Sequence, residues 1–218
     1  MIILQEFLKS KKFGETILVE NDSPLGIEAL TSYILEYAKQ EKLPVLIEDI
    51  LDTFPIYIKH LKLMNRELDL SSVNVMKIGG VEDIGNVVSR LKLESDPSIY
   101  ISRYTAEFSR VASKENFIDM IFGVDRLFTL DDTGVLTYEI LASMKQYSTR
   151  KDRLAFYFVE KKIIENIPTN PLLALEDIGT SVLMLNQERD ILIIKFVKDA
   201  WSIKSKVKEI KISIEDLT

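Results

Sequence analysis

The feature that most limits the fold is a series of short apolar runs, rich in β-branched residues, separated by segments of helical periodicity. The runs lie at 16–20 (TILVE), 44–50 (PVLIEDI), 72–80 (containing VNVMKIGG), 117–125 (FIDMIFGVD) and 153–162 (RLAFYFVEKK). Runs that are apolar on both sides of the chain are typical of strands buried on both faces. Alternation of such strands with helices predicts an α/β fold with three layers, α/β/α, around a mostly parallel sheet.

The segments between the runs have the periodicity of amphipathic helices. The predicted helices are 2–12, 24–39, 53–64, 82–93, 102–113, 133–147 and 171–178. The segment around Asp96 and Pro97 is predicted as a turn, followed by a few extended residues at 98–101.

The pattern changes after residue 162. Two apolar runs within 181–197 surround the polar turn 186–190, which indicates a β-hairpin, and 206–214 is predicted as a final strand. These strands form an antiparallel C-terminal extension of the sheet. Because no linker or repeat interrupts the chain, residues 1–218 are predicted to be a single domain.

The composition excludes several classes of function. With 46% hydrophobic and 28% charged residues, the chain is typical of a globular protein rather than a disordered one. It has no cysteine and one histidine, which excludes thiol nucleophiles, zinc–cysteine sites and multi-histidine metal sites. A net charge of −6 makes a nucleic acid an unlikely partner, because no broad surface neutralises phosphates.

No stretch approaches the ~18 apolar residues of a membrane span, and the first residues lack a secretory leader, so we expect a cytoplasmic protein with no membrane partner. Lysine and glutamate are abundant while cysteine is absent. This composition has two interpretations, which are a heat-adapted source and simple compositional drift.

The segment between the first predicted strand and helix occupies the place where many α/β proteins hold the phosphates of a nucleotide. Such a loop, GxxxxGK[ST], uses glycines to turn N–H groups inward, a lysine to reach the phosphates and a hydroxyl to hold magnesium. Gly26 corresponds to the second glycine, and Ile27 and Glu28 stand at the lysine and hydroxyl positions. Asp22 and Ser23 complete the candidate loop.

A capped turn explains this loop without a nucleotide. Ser23 followed by Pro24 is typical of an N-cap and the first helical residue. Glu28 suits the positive end of the helix dipole but would repel a phosphate. Residues 13–38 contain no lysine. The sequence therefore predicts vestigial phosphate-loop positions, no tight nucleotide site and no cofactor.

Three segments together resemble the KaiC/RecA-type P-loop ATPases. Residues 13–48 (FGETILVENDSPLGIEALTSYILEYAKQEKLPVLIE) are similar to the opening of that family, from the glycine before the first strand to a Pro-Val strand. Residues 117–130 (FIDMIFGVDRLFTL) are similar to its second acidic motif, with Asp125 at the end of the strand. Residues 175–201 (LEDIGTSVLMLNQERDILIIKFVKDAW) resemble its short helix and hairpin. The resemblance implies a RecA-like fold, and it extends to an archaeal family with no assigned activity.

This chain differs from that family at the positions that bind phosphate and magnesium and carry out catalysis. By the resemblance, Ile27 and Glu28 stand at the positions of the phosphate lysine and the magnesium hydroxyl. The acidic pair after the second strand falls near Leu51 and Asp52, and the family's Lys-x-Arg is Lys-Phe-Val at 195–197. Since phosphoryl transfer depends on positioning and charge stabilisation, we predict that the protein is not an enzyme.

Three further groups of residues have two interpretations each. Asp125, Asp131 and Asp132 form either a magnesium cluster or, as we favour, a solvated loop in which Asp132 or Thr133 caps the next helix, so no metal is predicted. His60 lies among lysines and is interpreted as a boundary residue rather than a catalytic base. The lysines around Trp201 either touch nucleic acid or protect edge strands from sheet-to-sheet pairing, and we favour the second.

The leading hypothesis is a non-catalytic, RecA/KaiC-like domain that acts by protein–protein binding or regulation. The protein partner is unknown, and a homo-oligomer is one form that such contacts can take. One alternative is a weak nucleotide or anion sensor that uses the N-terminus of the predicted helix 24–39. The other is a nucleic-acid-binding module that uses the lysine-rich C-terminal tail.

Overall fold

A computed structural model describes residues 2–214, in which one nine-stranded sheet is covered by helices on both faces. The strands are β1 (Thr16–Asn21), β2 (Val45–Ile50), β3 (Val73–Ile78), β4 (Asn86–Leu91), β5 (Phe117–Phe122), β6 (Arg153–Glu160), β7 (Ser181–Glu188), β8 (Ile191–Lys198) and β9 (Glu209–Ser213). The helices are α1 (Ile2–Ser10), α2 (Gly26–Glu41), α3 (Thr53–Leu63), α4 (Pro97–Val111), α5 (Val124–Phe128), α6 (Val135–Tyr147), α7 (Lys161–Ile164), α8 (Pro171–Ile178) and α9 (Ala200–Ser205). None of these helices is both long and apolar enough to cross a membrane.

The strands lie in the order β4-β3-β2-β5-β6-β1-β7-β8-β9. All pairs from β4 to β7 are parallel, and β7–β8 and β8–β9 are antiparallel. The mostly parallel sheet with an antiparallel C-terminal extension is therefore confirmed. In this order β1, β5 and β6 lie side by side at the centre of the sheet, which brings the ends of these strands together.

Two hydrophobic cores lie on the two faces of the sheet. Helices α1, α2 and α3 cover one face, and their buried side chains pack on those of the central strands. Helices α4, α6 and α8 cover the other face in the same way. Phe122 and Phe158 stack on the first face with ring centroids 4.7 Å apart. The predicted three-layer arrangement follows directly from these two cores.

The predicted helix over 82–93 is wrong. Gly85 has a φ of +68°, which a helix does not accommodate, and the residues after it form β4, which pairs with β3. Val87 and Val88 in this segment favour a strand, and pairing with the edge of the sheet outweighs the weak helical pattern of the sequence.

The predicted extended residues at 98–101 are also wrong, because they belong to the first turns of α4. The Asp96 carboxylate accepts the N–H groups of Ser98 and Ile99 at 2.8 and 3.2 Å, and Pro97 follows the cap as a first helical residue. The sequence Asp-Pro therefore begins a helix here. The short helices α5, α7 and α9 were not predicted either.

A buried polar network crosses β2, β5 and β6 on the face covered by α4. The guanidinium of Arg153 donates from Nε to Asp119 Oδ2 at 2.5 Å and from Nη2 to the Tyr157 hydroxyl at 3.0 Å. The Tyr104 hydroxyl donates to Glu48 Oε1 at 2.9 Å. Burial and then the neighbouring Asp119 raise the pKa of Glu48 well above its usual range, although Arg153 opposes the shift. Burial thus favours the neutral form of Glu48, and in that form its O–H group is a donor for Asp119.

Candidate functional site at the carboxyl edge of the sheet

The loop from β1 to α2 lies at the carboxyl edge of the parallel strands, where open α/β sheets bind their ligands. Asp22 and Ser23 follow the last residue of β1, and Gly26, Ile27 and Glu28 form the first turn of α2. The structure therefore places all five predicted loop residues at this edge. Whether they bind a phosphate depends on what fills the loop.

The inside of the loop is occupied by the side chain of Asn21. Its amide Nδ2 donates to the Ser23 carbonyl oxygen at 2.8 Å and to Glu160 Oε2 at 2.9 Å, and its Oδ1 accepts the Ser23 N–H at 3.2 Å. The Ser23 hydroxyl donates to Gln187 Oε1 at 3.0 Å. The loop thus satisfies part of its own hydrogen-bonding capacity without an anion.

The first turn of α2 packs closely against Asn21 and Ser23, and its first residue has no room for a side chain. A Cβ atom on Gly26 would lie 2.8 Å from Asn21 Oδ1 and 2.9 Å from Ser23 Cβ. Ile27, at the position of the phosphate lysine, is fully buried in the core under α2. The predicted cap is wrong, because the N-cap is Leu25. The Ser23 hydroxyl donates to Gln187 of β7 and accepts the Leu25 N–H at 3.4 Å, so it does not bond to an N–H group within the helix.

Glu28 pairs with the single histidine of the chain. Its carboxylate is 1% exposed, and Oε1 lies 2.6 Å from His60 Nδ1 on α3. Burial raises the pKa of Glu28, and the hydrogen bond with His60 opposes that shift. His60 is half-buried, as predicted for a boundary residue, but the sequence did not reveal its partner. The pair ties α3 to the first turn of α2 and places a carboxylate, not a hydroxyl, beneath the loop.

Asp125 lies three residues beyond the end of β5, whereas the sequence predicted it at the end of that strand. β5 ends at Phe122, so Asp125 belongs to α5 rather than to the end of the strand. Its Oδ2 accepts the Glu160 N–H at 3.0 Å, and burial raises its pKa to about 6. Asp125 therefore fastens α5 to the end of β6 by a backbone hydrogen bond.

The residue that directly follows β5 is Gly123, and there is no room for a side chain on it. Its φ is +89°, and a Cβ atom would lie 2.4 Å from Thr53 Oγ1 and 2.5 Å from the Ile50 carbonyl oxygen. The backbone after β5 packs directly against the turn between β2 and α3. An acidic residue therefore cannot occupy the end of this strand in the present geometry.

Glu160 at the end of β6 connects the loop to α3. The Tyr57 hydroxyl donates to Glu160 Oε1 at 2.9 Å, while Asn21 holds the other carboxylate oxygen. Both Glu160 oxygens thus accept hydrogen bonds at the place where the loop faces solvent. The groove beside it has a volume of about 250 Å³ and is lined by Asp22, Ser23, Glu160 and Lys162 among others.

Lys162 is a cation beside the loop that the sequence analysis missed. Its Nζ lies 3.1 Å from Asp22 Oδ1, and its side chain is 85% exposed. It follows β6, far from the loop along the sequence, so only the adjacency of β1 and β6 reveals it. An exposed, solvated lysine neutralises Asp22 but does not reproduce a buried phosphate lysine.

A second cation, Lys77 on β3, is fully buried at the same edge. Its Nζ donates to Asp49 Oδ2 at 2.6 Å, to Asp52 Oδ1, and to the Glu82 carbonyl oxygen at 2.7 Å. Asp52 also accepts the N–H groups of Val81 and Glu82. We call Lys77, Asp49 and Asp52 the Lys77 triad. The two carboxylates neutralise the Lys77 ammonium group, and the contacts fix the turns after β2 and β3. Asp52, near which the acidic pair was expected, therefore has a structural partner.

Glu20 near the end of β1 lies on the opposite face of the sheet, against α7 and α8. It is 1% exposed, its Oε2 lies 3.9 Å from Lys161 Nζ, and its Oε1 has no hydrogen-bond partner among residues 2–214 when Glu20 is ionised. Burial and then a hydrogen bond with Glu176 raise the pKa of Glu20 to about 7, with Lys161 opposing and Glu165 adding to the shift. When Glu20 is protonated, its O–H group can donate to Glu176, so the carboxyl group gains the hydrogen bond that it lacks when ionised.

We expect this carboxyl group to make the protein less stable as the pH rises from about 4.5 to about 8. Glu20 holds its proton in the folded chain after the unfolded chain has released it, so unfolding is favoured increasingly until both forms are ionised. The effect is on the order of 3 kcal/mol, from a shift in pKa of roughly 2.5 units. Denaturant unfolding at several pH values measures it. The variant Glu20→Gln should have a flatter profile, and identical profiles would contradict the assignment.

No three histidine, aspartate or glutamate side chains are placed to hold a metal ion anywhere between residues 2 and 214. Asp131, considered above with Asp125 and Asp132, accepts the N–H groups of Thr133, Gly134 and Thr137 and caps α6. Thr133, one of the two predicted caps, accepts the Val135 N–H at 3.3 Å, whereas the sequence did not identify Asp131 as the residue that bonds to Gly134 and Thr137.

Known proteins resemble this chain along nearly its whole length. A family model described as "Pyrococcus protein of unknown function, DUF257" matches residues 6–210. A solved structure from Pyrococcus horikoshii OT3, project PH0250, is 29% identical with a TM-score of 0.77, covering 96% of this chain and 97% of that chain. No curated protein is similar to the chain at a significant level.

Two more distant structures show the fold. The flagellar accessory protein FlaH from Methanocaldococcus jannaschii is 15% identical with a TM-score of 0.61, covering 97% of this chain and 90% of that one. The KaiC-like protein PH0186 from Pyrococcus horikoshii OT3 is 10% identical with a TM-score of 0.56, covering 85% and 79%. The RecA/KaiC-like fold and the resemblance to an archaeal family without assigned activity are therefore confirmed.

Proposed function

Because the chain belongs to the DUF257 family of Pyrococcus proteins of unknown function, we propose its function from the carboxyl edge of the sheet. We propose a non-catalytic relative of the RecA/KaiC-type ATPases that acts by binding protein rather than by turning over a nucleotide. The family relationship and the fold do not by themselves distinguish such a protein from an ATPase. The hydrogen bonds of the loop favour a non-catalytic protein over an ATPase.

The observation that carries the proposal is the Asn21 side chain inside the loop. Its amide donates to Glu160 and to the Ser23 carbonyl oxygen, and its oxygen accepts the Ser23 N–H. A phosphate loop needs its N–H groups turned towards an anion and a cation beside them. Here the N–H groups of Asp22, Ser23 and Leu25 are already bonded within the protein, and the charged group bound to Asn21 is the carboxylate of Glu160.

The catalytic positions of the scaffold give further support. Ile27 is buried in the core, Glu28 is bound to His60, and Gly123 has no room for an acidic side chain. Phosphoryl transfer requires positive charge and a metal ion close to the transferred group. The carboxylates of Glu28 and Glu160 oppose the charge of a triphosphate at this edge. The scaffold remains well packed, which suits a role in contacts with other proteins.

We expect millimolar Mg²⁺-ATP to change the melting temperature by less than about 1 °C. A ligand present at 100 times its Kd stabilises a protein by about 2.7 kcal/mol, which for a chain of this size corresponds to a rise of several degrees. A thermal-shift titration with ATP, GTP and inorganic phosphate measures the change. Turnover of ATP above that of a Glu28→Ala, Asp125→Ala double variant would contradict the proposal.

The second candidate function, a weak anion or nucleotide sensor, is supported by Lys162. This lysine lies 3.1 Å from Asp22 at the mouth of the loop and is free to reorient, since its side chain is 85% exposed. On this hypothesis ATP or phosphate raises the melting temperature, and Lys162→Ala abolishes the rise. The matched control is Lys59→Ala, another exposed lysine in a surface ion pair, with Glu82. A rise that both variants retain would contradict a site at Lys162.

A further inference from the structure

A groove lies between the N-terminal ends of α4 and α6, away from the loop. It has a volume of about 460 Å³ and lies at the carboxyl edge beside β4. Its walls are apolar and include Leu93, Leu130, Val135 and Leu136. Leu130 and Val135 are 55% and 51% exposed, which is unusual for two neighbouring apolar side chains beside a concave surface.

The rim of this groove, called here the acidic groove, carries an excess of carboxylates. Glu94, Asp131 and Asp132 line it. The hydrogen bonds that Asp131 accepts from α6 hold its pKa at about 2 in spite of the desolvation that opposes this shift, so it is ionised. Arg103 pairs with Glu94 and offsets one of these charges. An apolar groove with an acidic rim fits an apolar side chain that is flanked by cations.

The chain presents such a side chain at its other end. Ile203 on α9 is 78% exposed, and it is followed by Lys204, Lys206 and Lys208, all of which are exposed. Between residues 2 and 214 none of these three lysines forms an ion pair, whereas the acid that precedes α9, Asp199, is paired with the buried Lys11. We call Ile203 with these three lysines the basic end.

The two surfaces cannot meet within one molecule. The acidic groove lies at the carboxyl edge near β4, at one end of the sheet order, and α9 connects β8 to β9 at the other end. Because β8 runs antiparallel to the parallel strands, its last residues and α9 lie at the amino edge. The surfaces are therefore diagonally opposite, and any contact between them joins two copies.

We propose that the basic end of one copy binds the acidic groove of a second copy, with Ile203 entering the groove and the lysines lying along its acidic rim. This inference rests on the proposed function and deepens it by naming the partner. Such a contact is head-to-tail, because each copy contributes a different surface, so it continues into a ring or a filament rather than stopping at a dimer. Its ionic part makes it weaker at high salt, where the charges are screened.

Two variants that each destroy one surface test the proposal. Leu130→Lys places a cation in the acidic groove, and Ile203→Glu places an anion at the basic end. Both positions are exposed, so we expect folding to be retained, which the melting temperature checks. In sedimentation velocity at about 0.05 M salt, the native chain is expected to form species larger than a dimer, and each variant alone is expected to remain monomeric.

The mixture of the two variants is the decisive sample. One variant keeps an intact basic end and the other an intact groove, so a single contact forms and the mixture gives a species of twice the monomer mass and nothing larger. Leu63→Glu on α3, which is 83% exposed, is the control and should associate like the native chain. A monomeric native chain, a self-associating Leu130→Lys or Ile203→Glu variant, or a monomeric mixture would overturn the proposal.

These outcomes are independent of the nucleotide assays. A chain that stays monomeric and is unaffected by Mg²⁺-ATP contradicts only the head-to-tail contact and leaves the non-catalytic function in place. A chain that hydrolyses ATP contradicts the proposed function, and the sedimentation result then reports on association alone.

Discussion

Replacing Arg153 by methionine is expected to lower the free energy of unfolding by about 3–5 kcal/mol, the range found when one partner of a buried ion pair is removed. The guanidinium is 2% exposed and holds Asp119 at 2.5 Å and the Tyr157 hydroxyl at 3.0 Å. Methionine fills much of the space but leaves the buried Asp119 without its cation. Urea unfolding at neutral pH, followed by circular dichroism, measures the loss.

The control for this prediction is Glu48→Gln in the same network. If Glu48 is protonated and donates to Asp119, a glutamine amide replaces the donor and its oxygen still accepts from Tyr104, so the expected change is below about 1 kcal/mol near pH 4. At pH 7 the variant should be at least as stable as the native chain, because glutamine does not release a proton on unfolding. The variant should also remove a pH dependence. The raised pKa of Glu48 makes the native chain less stable as the pH rises above about 4.5. A loss from Glu48→Gln as large as that from Arg153→Met would contradict a protonated Glu48.

Replacing Lys77 by methionine is expected to cost about 3–5 kcal/mol as well, through a different part of the sheet. Lys77 and Asp49 are 1% and 0% exposed, and the ammonium group is the cation that Asp49 and Asp52 share. Without it the Asp49 carboxylate keeps its bond from the Phe54 N–H but loses its counter-charge. The turns after β2 and β3 lose a common anchor. Amide hydrogen exchange should show faster exchange in these turns than in β1.

The matched control is Lys59→Met, which removes a lysine from the exposed pair with Glu82 at 2.7 Å. Exposed ion pairs contribute at most about 1 kcal/mol, so this variant should unfold almost like the native chain. Equal losses from Lys59→Met and Lys77→Met would show that the Lys77 triad is no stronger than a surface pair.

The sequence predicted the central sheet because its strands are buried on both faces and read as continuous apolar runs. It failed at β4, an edge strand with a half-buried, mixed pattern whose structure depends on pairing with β3. It also assigned the cap of α2 to Ser23 from the Ser-Pro sequence. In the structure the hydroxyl of Ser23 bonds to Gln187 of β7, a neighbour that local sequence does not contain.

The residues at the candidate site were partly predictable for the same reason. Asp22, Ser23, Gly26, Ile27 and Glu28 were placed correctly at the carboxyl edge because they follow the first strand directly. Their partners come from β6, β7 and α3, and these elements become neighbours only through the order of the sheet and the packing of helices on it. No local signal identified those partners.

The charged residues within the strands were missed altogether. Glu48, Lys77, Asp119 and Arg153 interrupt apolar runs, and each on its own reads as an imperfection of a strand. Their charges are compensated across neighbouring strands, at distances that only the sheet order determines. A charged residue inside an otherwise apolar, doubly buried run is therefore a signal of a cross-strand partner, and it could have been used as one.

The tight packing around Gly123 has a consequence for attempts to engineer nucleotide binding into this scaffold. An aspartate at this position would bring its Cβ to within 2.4 Å of Thr53 Oγ1, and a lysine at position 27 would place an ammonium group in the space of a fully buried isoleucine. Point substitutions that copy an ATPase motif would therefore disrupt the scaffold before they created a site. Conversion would require a rebuilt turn between β2 and α3 and a loop without the Asn21 amide, which means transplanting whole segments together.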